Sequence, residues 1–175
     1  MATTNPILNQ AGVIAYRVQD GKVRVLLMTS RDTGRWIIPK GNIKAGATPC
    51  KAAEKEAYEE AGVKGTITGS IPLGMYTYSK KLASGEARAA TVEVYLLRVQ
   101  ERLKKWPERS ERKVSWVSTK EAVRLVEEPG VVPLLLQLME LEDDLAKNAG
   151  GFAKWCAQPS SPARLVTFNF RPSTN

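Results

Sequence analysis

The alternation of apolar and polar positions divides the chain into strands, one helix set among them, and two helices that follow. Ala11 to Tyr16 (AGVIAY) and Val23 to Met28 (VRVLLM) are apolar, β-prone runs. Asp20-Gly21 between them is a two-residue turn signal, so the pair reads as a hairpin opening a sheet. Trp36 to Ile38 is a short strand, Ile71 to Tyr78 another, and Ala90 to Val99 (ATVEVYLLRV) the clearest, apolar on both faces toward its end. Lys113 to Val117 is the last. The period becomes helical at Pro49 to Ala61, at Ser118 to about Glu128 behind the capping box Ser-x-x-Glu, and at Val131 to about Lys147. Leu134, Leu135, Leu138, Leu141 and Leu145 give the last helix an apolar stripe, read as core packing before a dimer seam. Residues 1–10, the loop Ser30 to Arg35, the lead-in Val63 to Ser70 and the turn Ser79 to Ala87 are polar and connect these elements.

Strands, then a helix, then strands, then helices imply an α/β (α+β) layered domain with a mixed sheet between helices. That domain is expected over residues 1–148, with 1–10 loose. Residues 149–175 differ in composition: Pro159-Ser160-Ser161-Pro162 is linker-like and Arg164 to Phe170 has strand character. This extension covers the domain, pairs with another subunit or stays disordered, and the residues do not choose among these.

The chain of 175 residues is 43% hydrophobic, enough for a core, and carries a net charge of +8. From Lys80 to Lys113 ten Lys or Arg stand against five Glu. That excess favours polyanionic partners: nucleotides, highly phosphorylated small molecules, nucleic acid or an anionic membrane. No apolar run reaches the length of a membrane span, and the first residues lack a basic-then-apolar secretory signal. Cys50 and Cys156 read as free intracellular thiols, and a cytoplasmic location is expected. The chain has no histidine, which removes a histidine base, a Ser-His-Asp triad and histidine metal sites.

Chemistry concentrates in Gly41 to Val63 (GNIKAGATPCKAAEKEAYEEAGV). Thr48 can cap the helix, Pro49 suits its first position, and Gly62 suits the left-handed residue that stops it. Glu56, Glu59 and Glu60, spaced i, i+3 and i+4, share one helical face, while Ala53, Ala57 and Ala61 form a second face small enough to pack close to a sheet. Three crowded carboxylates repel and call for a cation; oxygen ligands without imidazole suggest Mg²⁺ or Mn²⁺.

Preceded by Trp36-Ile37-Ile38-Pro39-Lys40-Gly41, this stretch resembles the Nudix hydrolase signature at Gly41, Glu56, Ala57, Glu59, Glu60, Gly62 and Val63. Ser30-Arg31, Arg35 to Pro39, Glu59 to Thr66 and Arg112 to Trp116 further resemble the diphosphoinositol polyphosphate and diadenosine polyphosphate phosphohydrolase group. The resemblance implies an α/β/α sandwich and hydrolysis of a diphosphate linkage in a polyphosphorylated small molecule. It makes Glu56 and Glu60 the main metal ligands, Glu59 the general base and a further ligand, the Gly41 carbonyl an additional one, and Glu108 or Glu111 a downstream candidate. Ala47 stands where the family has a glutamate and Lys55 where it has an arginine. Lys55 can neutralise Glu59 but cannot bind it bidentately, so activity lower than that of a full-motif enzyme is expected. Arg31, Arg35, Lys40, Lys80, Lys81 and Arg88 are candidate phosphate contacts, with Lys40 facing either phosphate or solvent. Alternatives are removal of pyrophosphate from RNA 5′ ends and a non-catalytic nucleotide- or partner-binding domain. Small-molecule substrates are favoured over nucleic acid, no membrane role is expected, and monomer and homodimer stay open.

Overall fold

The computed structural model describes residues 6–69 and 71–147. Eight strands form a mixed sheet: β1 (Leu8–Gln19), β2 (Lys22–Thr29), β3 (Trp36–Ile37), β4 (Lys40–Asn42), β5 (Val63–Ile67), β6 (Gly74–Lys81), β7 (Ala87–Arg102) and β8 (Val114–Ser118). Helix α1 (Pro49–Ala61) lies between β4 and β5, and α2 (Thr119–Leu125) and α3 (Val132–Lys147) follow β8, joined by a 3₁₀ turn at Pro129–Val131. The spine is the parallel pair β1 and β7, in register from Leu8 opposite Ala90 to Tyr16 opposite Arg98. Every other pairing is antiparallel.

Each face of the sheet carries its own core. On one face Ala53, Ala57 and Ala61 of α1 meet Val13, Leu26 and Leu97. Methyl side chains let this helix sit close to the strands, and all three alanines are fully buried. On the other face Leu134, Leu135 and Leu138 of α3 cover Tyr16, Leu27 and Val94. Leu145 is buried as well and Leu141 packs at the edge, so the apolar stripe of α3 is core. Helix, sheet and helix thus stack as the expected three-layer sandwich.

Several expectations shift. Residues 8–10 belong to β1, because its polar start pairs with β4 and β7. Lys40 to Asn42, expected as loop, is a strand held against Gln10 to Gly12. Val63 to Ile67, expected as a lead-in, is β5, held by the end of β7. Strand β6 begins at Gly74 and runs through Lys81, so the turn shrinks to residues 82–86. Helix α2 stops at Leu125, where Val126 turns extended and the Glu127 N–H donates to the Trp36 carbonyl at 3.0 Å. The extension 149–175, with its expected strand and Cys156, lies outside the described residues.

Candidate active site

Helix α1 is closed at both ends by its own sequence. Thr48 Oγ1 accepts from the Lys51 N–H at 3.3 Å, and Gly62 takes φ = 67°, its N–H donating to the Tyr58 carbonyl at 3.1 Å. The loop between β7 and β8 then clasps the last turn. The Leu103 N–H donates to the Gly62 carbonyl at 2.8 Å, the Glu108 N–H donates to the Glu59 carbonyl at 3.1 Å, and the Trp106 ring lies on Gly62. Carbonyls left open at a helix C-terminus are therefore satisfied by the segment that also carries Glu108 and Arg112.

The predicted carboxylates come together but differ in their surroundings. Glu60 is buried, 6% exposed. Its Oε2 accepts from the Lys40 N–H at 2.9 Å and its Oε1 is paired with Arg112 Nη2. Burial pushes its carboxyl up to about 7, against the pull of Arg112 and the Lys40 N–H, with Glu56 and Glu108 adding repulsion. Glu59 is engaged by Lys55 Nζ at 2.5 Å, the i, i+4 pairing expected from the sequence. Glu56 is half-buried and has no hydrogen bond or ion pair among the described residues. Burial raises its carboxyl; Lys55 lowers it, and Glu59 and Glu108 raise it further. Gly41 lies directly against Glu56, where any Cβ would collide with the carboxylate.

Arg112 organises this corner. Only 5% of its side chain is exposed. Beyond Glu60, its Nε donates to Glu108 Oε2 at 2.6 Å and its Nη1 to the Thr29 carbonyl at 3.1 Å, tying α1, the β7–β8 loop and β2 together. Arg31, from the β2–β3 loop, bonds Glu111 at 3.2 Å and lies 3.9 Å from Glu108. Both downstream candidate ligands are therefore already held by arginines.

The predicted phosphate contacts separate into kinds. Lys40 is not the surface cation expected from the sequence: its side chain is 7% exposed and its Nζ pairs with Glu128 Oε1 at 2.7 Å, over the Tyr78 ring. Tyr76 donates to the other oxygen of Glu128 at 3.1 Å, so the Lys40 charge is spent on closing the α3 side of the sheet. Lys80 has no carboxylate partner among the described residues; it reaches Asn42 Oδ1 at 3.5 Å. Burial lowers its affinity for a proton and Lys40 lowers it again, while Glu60 and Glu56 act against this. Arg88 is its direct cross-strand partner and has a buried, unpaired Nε. Two cations facing each other across a ladder repel, and an anion between them relieves that. Arg35 is exposed, its Nε held by Thr33 Oγ1 at 2.9 Å.

Sequence reading missed Arg112, which it saw only within the resemblance, and Glu128. No local pattern marks either, since each acts on residues far along the chain: 52 positions separate Arg112 from Glu60. As a donor set, Glu56, Glu59, Glu60 and Glu108 suit a hard divalent cation, and Glu56 supplies an unpaired, half-buried carboxylate. No ready-made group of three metal-ligating side chains exists among the described residues, and Glu59, Glu60 and Glu108 are paired with Lys55 and Arg112.

Over residues 8–139 the chain matches the NUDIX domain family. It is 36% identical over 107 residues to Nudix hydrolase 12, mitochondrial, of Arabidopsis thaliana, covering 59% of this chain and 52% of that protein. It is 31% identical over 120 residues to human diphosphoinositol polyphosphate phosphohydrolase 3-beta, covering 67% of this chain and 68% of that one. Among solved structures, a C. elegans Ap4A hydrolase binary complex shares the fold, with a TM-score of 0.58 and 22% identity over 77% of this chain and 97% of that chain. The chain spans about half the length of the plant relative.

Proposed function

The chain belongs to the NUDIX domain family, and on that premise we propose that it is a divalent-metal-dependent hydrolase of a diphosphate linkage in a polyphosphorylated small molecule. The observation that carries the reading is Glu56: an unpaired, half-buried carboxylate pressed on Gly41, beside Glu59 and Glu60 and within the field of Lys80. Leaving such a group uncompensated is costly, and a bound cation removes the cost. Glu56 and Glu60 would hold Mg²⁺ or Mn²⁺, which neutralises phosphate charge and positions the attacking water when bound. Glu59 is the base, and Lys55 neutralises its carboxylate until substrate phosphate arrives. Lys80 and Arg88 contact phosphate oxygens, joined by Arg35 and, once it leaves Glu111, Arg31. The relative named for diphosphoinositol polyphosphate makes inositol pyrophosphates one candidate class; dinucleoside polyphosphates are the other.

The test is a phosphate-release screen over nucleotides, dinucleoside polyphosphates and inositol pyrophosphates with each metal. Turnover of at least one class is expected, together with a loss of about 100-fold or more in Glu59→Gln while ligand binding is kept. Silence across the panel from folded protein, or indifference to Glu59→Gln, would make the domain a binding module.

A further inference from the structure

The carboxylates of this corner are already engaged by protein cations, and Glu56 is the exception. Lys55 holds Glu59 at 2.5 Å, Arg112 holds Glu60 and Glu108, and Arg31 bonds Glu111 at 3.2 Å. Four carboxylates thus share three resident cations, and Glu56 has no cation bonded to it among the described residues. We infer that Lys55, Arg112 and Arg31 are counter-cations that keep the protein by itself a weak binder of divalent metal, so that metal is taken up jointly with substrate phosphates. The inference rests on the hydrolase reading of the site.

The three cations differ in how they yield. Arg112 is locked: 5% exposed and fixed to the Thr29 carbonyl, it stays beside Glu60 whatever arrives. Lys55 and Arg31 are 45% and 54% exposed, so their charged ends can leave the carboxylates for water or phosphate at little cost. A divalent ion arriving alone meets all three positive charges close to its ligands. Phosphates arriving with it give Lys55 and Arg31 new partners, release Glu59 and Glu111, and screen Arg112. Lys80 and Arg88, paired cations with no carboxylate partner among the described residues, draw the same anion in from the β6–β7 side. Anion and metal therefore strengthen each other's binding, and the coupling is reciprocal.

Mn²⁺ binding to the full chain, followed by electron paramagnetic resonance of the free ion, tests this. Methylenediphosphonate serves as a diphosphate that cannot be hydrolysed, and a Mn²⁺–diphosphonate titration without protein is the reference. The wild type should bind Mn²⁺ at least tenfold more tightly with the diphosphonate than alone. Lys55→Met, at an exposed position that folding tolerates, should tighten binding of Mn²⁺ alone several-fold and shrink the gain from the diphosphonate. Lys55→Arg keeps the charge and should behave as wild type. Tight binding of Mn²⁺ alone by the wild type, or weaker binding in Lys55→Met, would overturn the inference and leave the hydrolase reading standing. No binding in any arm would sink both.

Discussion

Glu60 shows how one residue sets a condition-dependent property. Its carboxyl titrates near 7 in the folded protein, against an ordinary 4.5, because burial outweighs the help of Arg112 and the Lys40 N–H. The folded chain therefore holds a proton that the unfolded chain has released between those values. The contribution is fully present below about pH 4.5 and is lost as pH rises through about 7, a change on the order of 3 kcal/mol. Urea unfolding in EDTA should show wild type losing stability relative to Glu60→Gln between pH 5 and 8. If Glu60 holds metal as proposed, saturating Mn²⁺ with diphosphonate should reduce that loss, since the metal would take the place of the proton. Two lysines make the complementary case. Lys40→Met strands Glu128, whose side chain is only 13% exposed, and should cost roughly 3 kcal/mol, seen as a lowered Tm with KM little changed. Lys80→Met removes a cation that no carboxylate holds, so KM should rise about tenfold with Tm unchanged. The reverse pattern would exchange their roles. Sequence treated these lysines as equals, because the partner that separates them, Glu128, stands 88 positions beyond Lys40.

At the scale of elements, α1 was readable to the residue because its start and stop are local chemistry: a threonine cap, a proline at the first position and a left-handed glycine. The same holds for the β1–β2 hairpin, where Asp20 and Gly21 both take positive φ. Strands β4 and β5 were not readable. Lys40-Gly41-Asn42 has little β-preference of its own, and the β-branched Val63, Thr66 and Ile67 are interrupted by Lys64-Gly65; both segments are strands because long neighbours offer open edges. The site follows the same division. Its acidic face was visible as a helical spacing, whereas its cationic counterpart depends on a loop folded back from the end of β7. Gly62 joins the two parts, stopping α1 and forming the floor under Trp106. Gly62→Ala should therefore act twice. The left-handed conformation costs about 1 kcal/mol and collision with the indole adds to it, so Tm should fall. The displaced loop also carries Glu108 and Arg112, so turnover should fall further than in Thr48→Ala, which loosens only the far end of α1. Equal losses in the two variants would show that the loop does not support the site.

At the scale of the whole molecule, the charge of +8 draws polyanions without choosing among them. Their arrangement chooses. Lys80, Arg88 and Arg31 flank the carboxylate corner, whereas Arg102, Lys104 and Arg109 line an adjoining open groove of about 650 Å³ with Trp106, which meets the corner at Arg112. A small polyphosphate reaches the first group alone; an RNA long enough to cross the domain would reach both. Salt separates these cases, because each neutralised phosphate of a single strand adds about 0.7 to the slope of log affinity against log salt. Three contacts predict a slope near −2, and shallower still for a small ligand, while six predict about −4. Measured as kcat/KM between 50 and 300 mM KCl at fixed free Mg²⁺, the best small substrate should stay at or above −2. Arg102→Ala with Arg109→Ala should leave that slope unchanged. An RNA substrate with a slope near −4, flattened by the same pair of substitutions, would move the function to nucleic acid and give the Trp106 groove its occupant.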